Sequence, residues 1–111
     1  MLGPRDRRNL EHVHPDLRRV VERAAKDGPV PFLVGNPAAR QDAPRYASGH
    51  AVDLYPLLGK PVTALSRSDF LHLVAAVRLA ARQEGVAMVH GADQGNATPA
   101  CQALDPAAYP A

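Results

Sequence analysis

Apolar side chains recur with the spacing of one helical face in two stretches of the chain. The first stripe consists of Leu17, Val20, Val21, Ala24 and Ala25. It follows a helix start at His14-Pro15-Asp16, where proline suits the first turn and the carboxylate suits the positive end of the helix dipole. The second stripe consists of Phe70, Leu73, Val74, Val77, Ala80 and Ala81. It follows a capping box at 66–69, and Gly28 and Gly85 end the two predicted helices.

Three short segments bounded by turn-forming residues, at 30–35, 51–55 and 86–89, are predicted as strands. The resulting order of elements is helix, strand, strand, helix, strand. This order predicts an α+β fold in a small single domain, with a short antiparallel sheet packed against two helices. A length of 111 residues suits one such domain.

The remaining segments are expected to be irregular. Residues 1–13 are polar and arginine-rich with no period, and they are predicted to form an N-terminal arm. A loop is expected at 36–48, and the chain after residue 90 is expected to lack regular structure. The domain is therefore assigned to residues 14–104, and residues 105–111 are assigned to a proline-rich C-terminal tail.

Charge and composition narrow the set of partners. The formal net charge is only +2 and acidic residues interleave with the arginines, so we expect no nucleic-acid partner. No apolar run reaches the roughly 20 residues that cross a bilayer, so no membrane partner is expected. The single cysteine, Cys101, excludes an intrachain disulfide and a multi-cysteine metal site. Its sequence neighbours are uncharged, so its expected role is that of a small buried hydrophobe.

Three stretches of the sequence, taken in order, carry a family resemblance. They are Val13-His14-Pro15-Asp16-Leu17, Ser48-Gly49-His50-Ala51-Val52-Asp53-Leu54, and the region from Glu84-Gly85-Val86 through His90-Gly91-Ala92-Asp93 to Thr98-Pro99. Together they resemble the zinc D-Ala-D-Ala carboxypeptidase and phage L-alanyl-D-glutamate endolysin family of peptidoglycan peptidases. The short loop before the second stretch is similar to that of the compact phage members, which implies a phage or prophage origin.

The resemblance implies a catalytic zinc ion, which needs about three protein ligands and a carboxylate that accepts a proton from the bound water. Aligned on the second stretch, Tyr46 stands at the first zinc ligand, and Asp53 is the ligand that is retained. Aligned on Pro99, Ala100 stands at the third ligand and Ala97 at the general base. Because two ligands and the base are replaced, we expect no catalytic residue, metal or cofactor, and the chain is predicted to be a pseudoenzyme.

Two histidines offer an alternative zinc site. A rebuilt site would combine His50, Asp53 and His90, since imidazole is a common zinc ligand. Strand alternation, however, places His50 and Asp53 on opposite faces. His90 stands where the family has a tryptophan, so its ordinary role is in packing or in a turn hydrogen bond.

Without zinc, Asp53 is an acid on a buried strand, and it needs hydrogen-bond donors or a raised pKa. Proximity in the sequence makes Tyr46 and His50 its expected partners. The family's substrate-orienting arginine is matched by Pro37, and Arg40 lies nearby but out of register.

These replacements lead to a functional prediction. The chain is expected to be a catalytically inactive, peptidoglycan-peptidase-like protein that serves as a capsid- or tail-associated structural component of a virion. Its partners would be other virion proteins, and it would be assembled in the host cytoplasm. The arm and the tail are suited to lying extended on a neighbouring subunit. Two alternatives stay open: a non-catalytic module that binds cell-wall peptidoglycan, and a residual zinc-dependent endolysin.

Overall fold

The computed structural model describes residues 2–40, 42–94 and 98–110, without the side chain of Ala38. The helices are α1 (Pro4–Asn9), α2 (Pro15–Asp27), α3 (Pro44–Ala47) and α4 (Arg67–Glu84). The strands are β1 (Phe32–Val34), β2 (Ala51–Pro56), β3 (Met88–His90) and β4 (Cys101–Leu104). Short 3-10 turns lie at Pro37–Arg40, Val62–Ala64 and Gly91–Asp93.

The strands form one antiparallel sheet in the order β1-β2-β4-β3. Helices α2 and α4 contact each other and share a hydrophobic core with the sheet, which includes Val52, Leu54 and Leu104. The predicted α+β class with an antiparallel sheet packed against two helices is therefore confirmed. Among the residues described, no helix is both long and apolar enough to span a membrane.

The two predicted apolar stripes face the interior. On α2 the buried residues are Leu17, Val20, Val21 and Ala24. On α4 they are Phe70, Leu73, Val74, Val77, Ala80 and Ala81. The helix starts follow the expected chemistry, because His14 Nδ1 accepts from Asp16 N–H at 3.1 Å and Ser66 N–H donates to Asp69 at 2.7 Å. Helical periodicity was therefore a sufficient signal for both long helices.

Three segments expected to be irregular form regular elements. Part of the predicted arm is helix α1, part of the predicted loop at 36–48 is helix α3, and β4 lies in the segment after residue 90. The two short helices have no apolar period, and tertiary contacts stabilise them instead. Strand β4 has neither β-branched residues nor alternation. It is paired on both sides, and its last three residues are buried.

Helix α1 protects the outer edge of the sheet. The Asp6 carboxylate accepts a hydrogen bond from Val34 N–H at 2.9 Å and another from Gly3 N–H at 3.1 Å. The Asn9 side-chain amide donates to the carbonyl of Val34 at 3.0 Å. Two side chains thus bind the outward N–H and C=O of Val34, which edge strand β1 would otherwise leave open for another strand.

The C-terminal segment folds back onto the same chain. The Tyr109 hydroxyl donates to the Asp16 carboxylate at 2.7 Å, and Arg45 donates to the Tyr109 carbonyl at 3.0 Å. The ring of Tyr109 also packs edge-on against His14, with 5.3 Å between ring centres. These contacts attach the segment after β4 to the start of α2 and to α3. The domain limits at residues 14–104 stay a prediction.

We predict that Asp6→Ala destabilises the fold by about 1–3 kcal/mol, because it leaves the buried N–H of Val34 without an acceptor. Urea unfolding followed by circular dichroism measures the change. Glu11→Ala is the control, since Glu11 is an exposed acid close in sequence to α1, and its removal should cost less than about 0.5 kcal/mol. Equal stability of Asp6→Ala and the wild type would show that α1 does not hold the sheet edge.

Candidate functional site

The candidate site is built on β2. Side chains alternate along a strand, so Asp53 shares one face of β2 with Ala51 and Tyr55. On the other face, Val52 and Leu54 join the core with the helices. The Asp53 side chain is only 7% exposed. A carboxylate buried to this degree must be paired with donors or cations.

Segments that precede β2 supply these partners. Tyr46, on α3, donates its hydroxyl to Asp53 Oδ1 at 2.8 Å. Arg40, at the end of the turn Pro37–Arg40, donates from Nη1 to Asp53 Oδ2 at 3.1 Å. The guanidinium carbon of Arg40 also lies 4.3 Å from the centre of the Tyr46 ring, which is a cation–π contact. Tyr55 reaches Oδ2 only at 3.5 Å, the geometry of a weak hydrogen bond.

The turn between α3 and β2 requires a glycine. Gly49 has a φ of +79°, and a Cβ built there would lie 2.2 Å from the carbonyl oxygen of His12. Its own carbonyl accepts from His14 N–H at 2.8 Å, which ties the start of β2 to the start of α2. Gly49 of the family-like stretch is therefore explained by backbone geometry rather than by chemistry.

Protonation states in the site follow from burial. Burial, with further contributions from Cys101 and Asp53, raises the pKa of Tyr46, so its phenol stays protonated and donates. Burial also raises the pKa of the Cys101 thiol, which disfavours a reactive thiolate. Burial opposes the charge of Arg40, but the neighbouring Asp53 carboxylate favours it, and the pKa of Arg40 is raised. The site therefore contains a permanent cation and a neutral phenol beside a buried carboxylate.

The structure brings together some of the predicted site positions. Tyr46 and Asp53 are in contact, as expected, and Ala100 is a buried packing residue beside Phe70 and Val74. The Ala100 carbonyl accepts from Leu54 N–H at 2.9 Å, so this position serves the pairing of β2 with β4. Ala97 lies outside the described residues.

Arg40 is the site residue whose role the sequence did not reveal. Alignment placed it out of register, with Pro37 at the family's arginine position. The 3-10 turn that begins at Pro37 carries Arg40 to Asp53. The sequence offered one indirect signal. A buried acid on a strand needs a cationic partner, and Arg40 and Arg45 are the two arginines closest before β2. Arg45 instead donates to backbone carbonyls.

The two candidate histidines lie away from Asp53. His50 was expected to be a partner of Asp53, and this was wrong: its Nδ1 is 2.7 Å from Ser48 Oγ, and its ring lies 5.4 Å from that of His14. The physical reason is the strand alternation itself, which turns His50 to the other side of β2. His90 is buried, and its Nδ1 lies 2.6 Å from Gln102 Oε1. The buried ring therefore has a packing role, as expected, but its hydrogen bond joins paired strands β3 and β4 rather than closing a turn.

The donor set does not fit the zinc ion that the resemblance implies. Both carboxylate oxygens of Asp53 are already bonded, one to Tyr46 and the other to Arg40. Across residues 2–40, 42–94 and 98–110, no group of three or more His, Cys, Asp or Glu side chains could hold a metal. A zinc ion beside Asp53 would also face a permanent cation 3.1 Å from the same carboxylate.

The fold is that of a peptidoglycan-peptidase-like protein. The structure is similar to the crystal structure of the Serratia marcescens L-Ala D-Glu endopeptidase ChiX, with a TM-score of 0.80 and 28% sequence identity. The similarity covers 97% of this chain and 92% of that one. No protein-family model matches the chain. No curated protein sequence matches it either.

This similarity overturns one prediction. The chain was expected to be a pseudoenzyme, and that inference is wrong, because a protein with a similar fold over nearly the full length of both chains is an endopeptidase. The inference treated the loss of zinc ligands as the loss of activity. The side chains around Asp53 argue only against a zinc ion at this position, and they do not exclude hydrolysis.

We predict that Tyr46→Phe destabilises the fold by about 1–3 kcal/mol, because Oδ1 of the buried Asp53 loses its donor. Tyr55→Phe is the matched control, since it removes only a 3.5 Å contact and should cost less than about 0.5 kcal/mol. Thermal and urea unfolding of both variants measure the difference. Similar losses for the two variants would contradict the special role of Tyr46.

A second prediction concerns pH. Burial lowers the pKa of His90, so below about pH 6.5 the unfolded chain binds a proton that the folded chain resists. Stability from this residue is present above that pH and is lost as pH falls, by at most about 1.4 kcal/mol per pH unit. Urea unfolding at a series of pH values should show a slope that His90→Gln reduces. Equal slopes for the wild type and His90→Gln would contradict this contribution of His90.

Proposed function

We propose that this chain acts on the peptide stems of peptidoglycan, which it engages at the face of β2 that carries Asp53. The observation that carries the proposal is the similarity to an L-Ala D-Glu endopeptidase over nearly the full length of both chains, at 28% identity. Similarity of this extent supports a related class of substrate, whereas a shared fold alone would not.

The charges at the candidate site are compatible with such a peptide. The Arg40 side chain is 38% exposed while its partner Asp53 is 7% exposed, so an approaching ligand meets the cation before the carboxylate. A peptide that contains D-Glu carries a free carboxylate. The planar guanidinium matches the geometry of a carboxylate, which supports recognition of that group at this face.

Cosedimentation with purified peptidoglycan tests the proposal. We expect the chain to sediment with the polymer and to be released by an excess of a soluble peptide that contains L-Ala and D-Glu. A peptide of the same length made of L-Ala alone is the matched competitor, and it should release little protein because it lacks the D-Glu carboxylate.

Mass spectrometry of the same mixtures reports any cleavage between L-Ala and D-Glu. Products at this bond would extend the proposal from binding to hydrolysis. A chain that stays in the supernatant with intact peptidoglycan, and forms no product, would contradict the proposed function.

The predicted virion role is a separate matter. A capsid- or tail-associated position, a phage origin and assembly in the host cytoplasm stay predictions from the sequence. The contacts of the C-terminal segment with Asp16 and Arg45 lie within one chain and do not bear on a neighbouring subunit.

A further inference from the structure

We propose that Arg40 is the resident cation of the candidate site, and that it takes the place beside Asp53 that the family resemblance assigns to a zinc ion. The site would then engage a D-Glu carboxylate without a divalent metal. The ligand in this proposal rests on the proposed function, whereas the role of Arg40 as the cation does not.

The geometry supplies what a carboxylate in this position requires. Arg40 neutralises Asp53 through a 3.1 Å contact at Oδ2, and Tyr46 donates to Oδ1 at 2.8 Å. The ring of Tyr46 also holds the guanidinium, whose carbon lies 4.3 Å from the ring centre. Each of the three groups therefore fixes the other two, and a metal ion would have to displace at least one of them to reach Asp53.

The ion pair between Arg40 and Asp53 differs in burial from a second ion pair in the same chain. Arg78 and Asp93 lie 3.0 Å apart with side chains that are 41% and 54% exposed. Arg40 is exposed to a similar degree, at 38%, but its acid is 7% exposed. Solvent screens the exposed pair, whereas loss of Arg40 would leave Asp53 as a buried charge without a cation. Arg40 therefore has a role that Arg78 lacks.

The class of ligand follows from which group of the ion pair faces solvent, the guanidinium of Arg40 or the carboxylate of Asp53. The acid lies beneath and the guanidinium is part-exposed, so an incoming ligand meets guanidinium N–H donors before the carboxylate oxygens. These donors disfavour the approach of a metal cation and can bind an anion. Among anions, a carboxylate matches the fork of guanidinium donors.

Zinc titration of the full chain tests the first half of the proposal. We expect an excess of zinc to leave the melting temperature unchanged and to give no saturable heat in calorimetry. Binding of one zinc ion per chain that raises the melting temperature, and that Asp53→Asn abolishes, would overturn the proposal.

Peptide binding tests the second half. We expect a peptide that contains L-Ala and D-Glu to bind equally well in EDTA and in zinc, and Arg40→Gln to weaken it by about tenfold or more. Arg40→Lys keeps the charge without the fork and should restore part of the affinity. Arg78→Gln is the matched control and should change the affinity by less than about twofold. Circular dichroism of each variant confirms that it is folded.

The two proposals fail in different ways. If the wild type binds the peptide only with zinc, Arg40 is not the cation of the site, while the proposed function stands. If the wild type binds the peptide in neither buffer, peptide recognition is overturned. The zinc titration then still decides whether Arg40 or a metal ion is the partner of Asp53.

Discussion

The arrangement around β2 depends on one buried carboxylate. Asp53 lies on an inner strand of the sheet, where an unpaired charge would be far more costly than in water. Its pairing with Tyr46 and Arg40 holds the segment from the 3-10 turn through α3 against the sheet. Tyr46 and Ala43 of that segment also pack in an apolar cluster with Ala51 and Ala103. The electrostatic requirement of Asp53 therefore organises the part of the chain that precedes β2.

The same requirement explains how a peptidase-like fold can carry a different charge pattern at its site. A strand acid can be neutralised by a metal ion with further protein ligands or by a single arginine. Here Arg40 provides the positive charge, and the neighbouring positions are filled by packing residues such as Ala100. The similarity to an endopeptidase and the poor fit to zinc are compatible, because the fold depends on the whole chain while metal binding depends on a few donors.

Polar side chains also complete the sheet at its edge. Asp6 and Asn9 bind the N–H and the C=O of Val34, so a short helix occupies the place of a further strand. At the other end of the chain, Tyr109 and Arg45 attach the C-terminal segment by similar means. In a domain of 111 residues these contacts order segments that add little to the hydrophobic core.

The sequence by itself determined the two long helices, the α+β class and the burial of Asp53. Apolar periodicity and the apolar neighbours of Asp53 on its strand can both be read from short stretches of sequence. It also indicated Tyr46 as a partner, since Tyr46 is a donor close to Asp53 along the chain. Tertiary structure alone decided that Arg40 rather than His50 completes the pair, because a turn reorients Arg40 while strand alternation turns His50 away. It also decided the existence of α1, α3 and β4. These elements have no periodic pattern, and contacts with distant parts of the chain stabilise them.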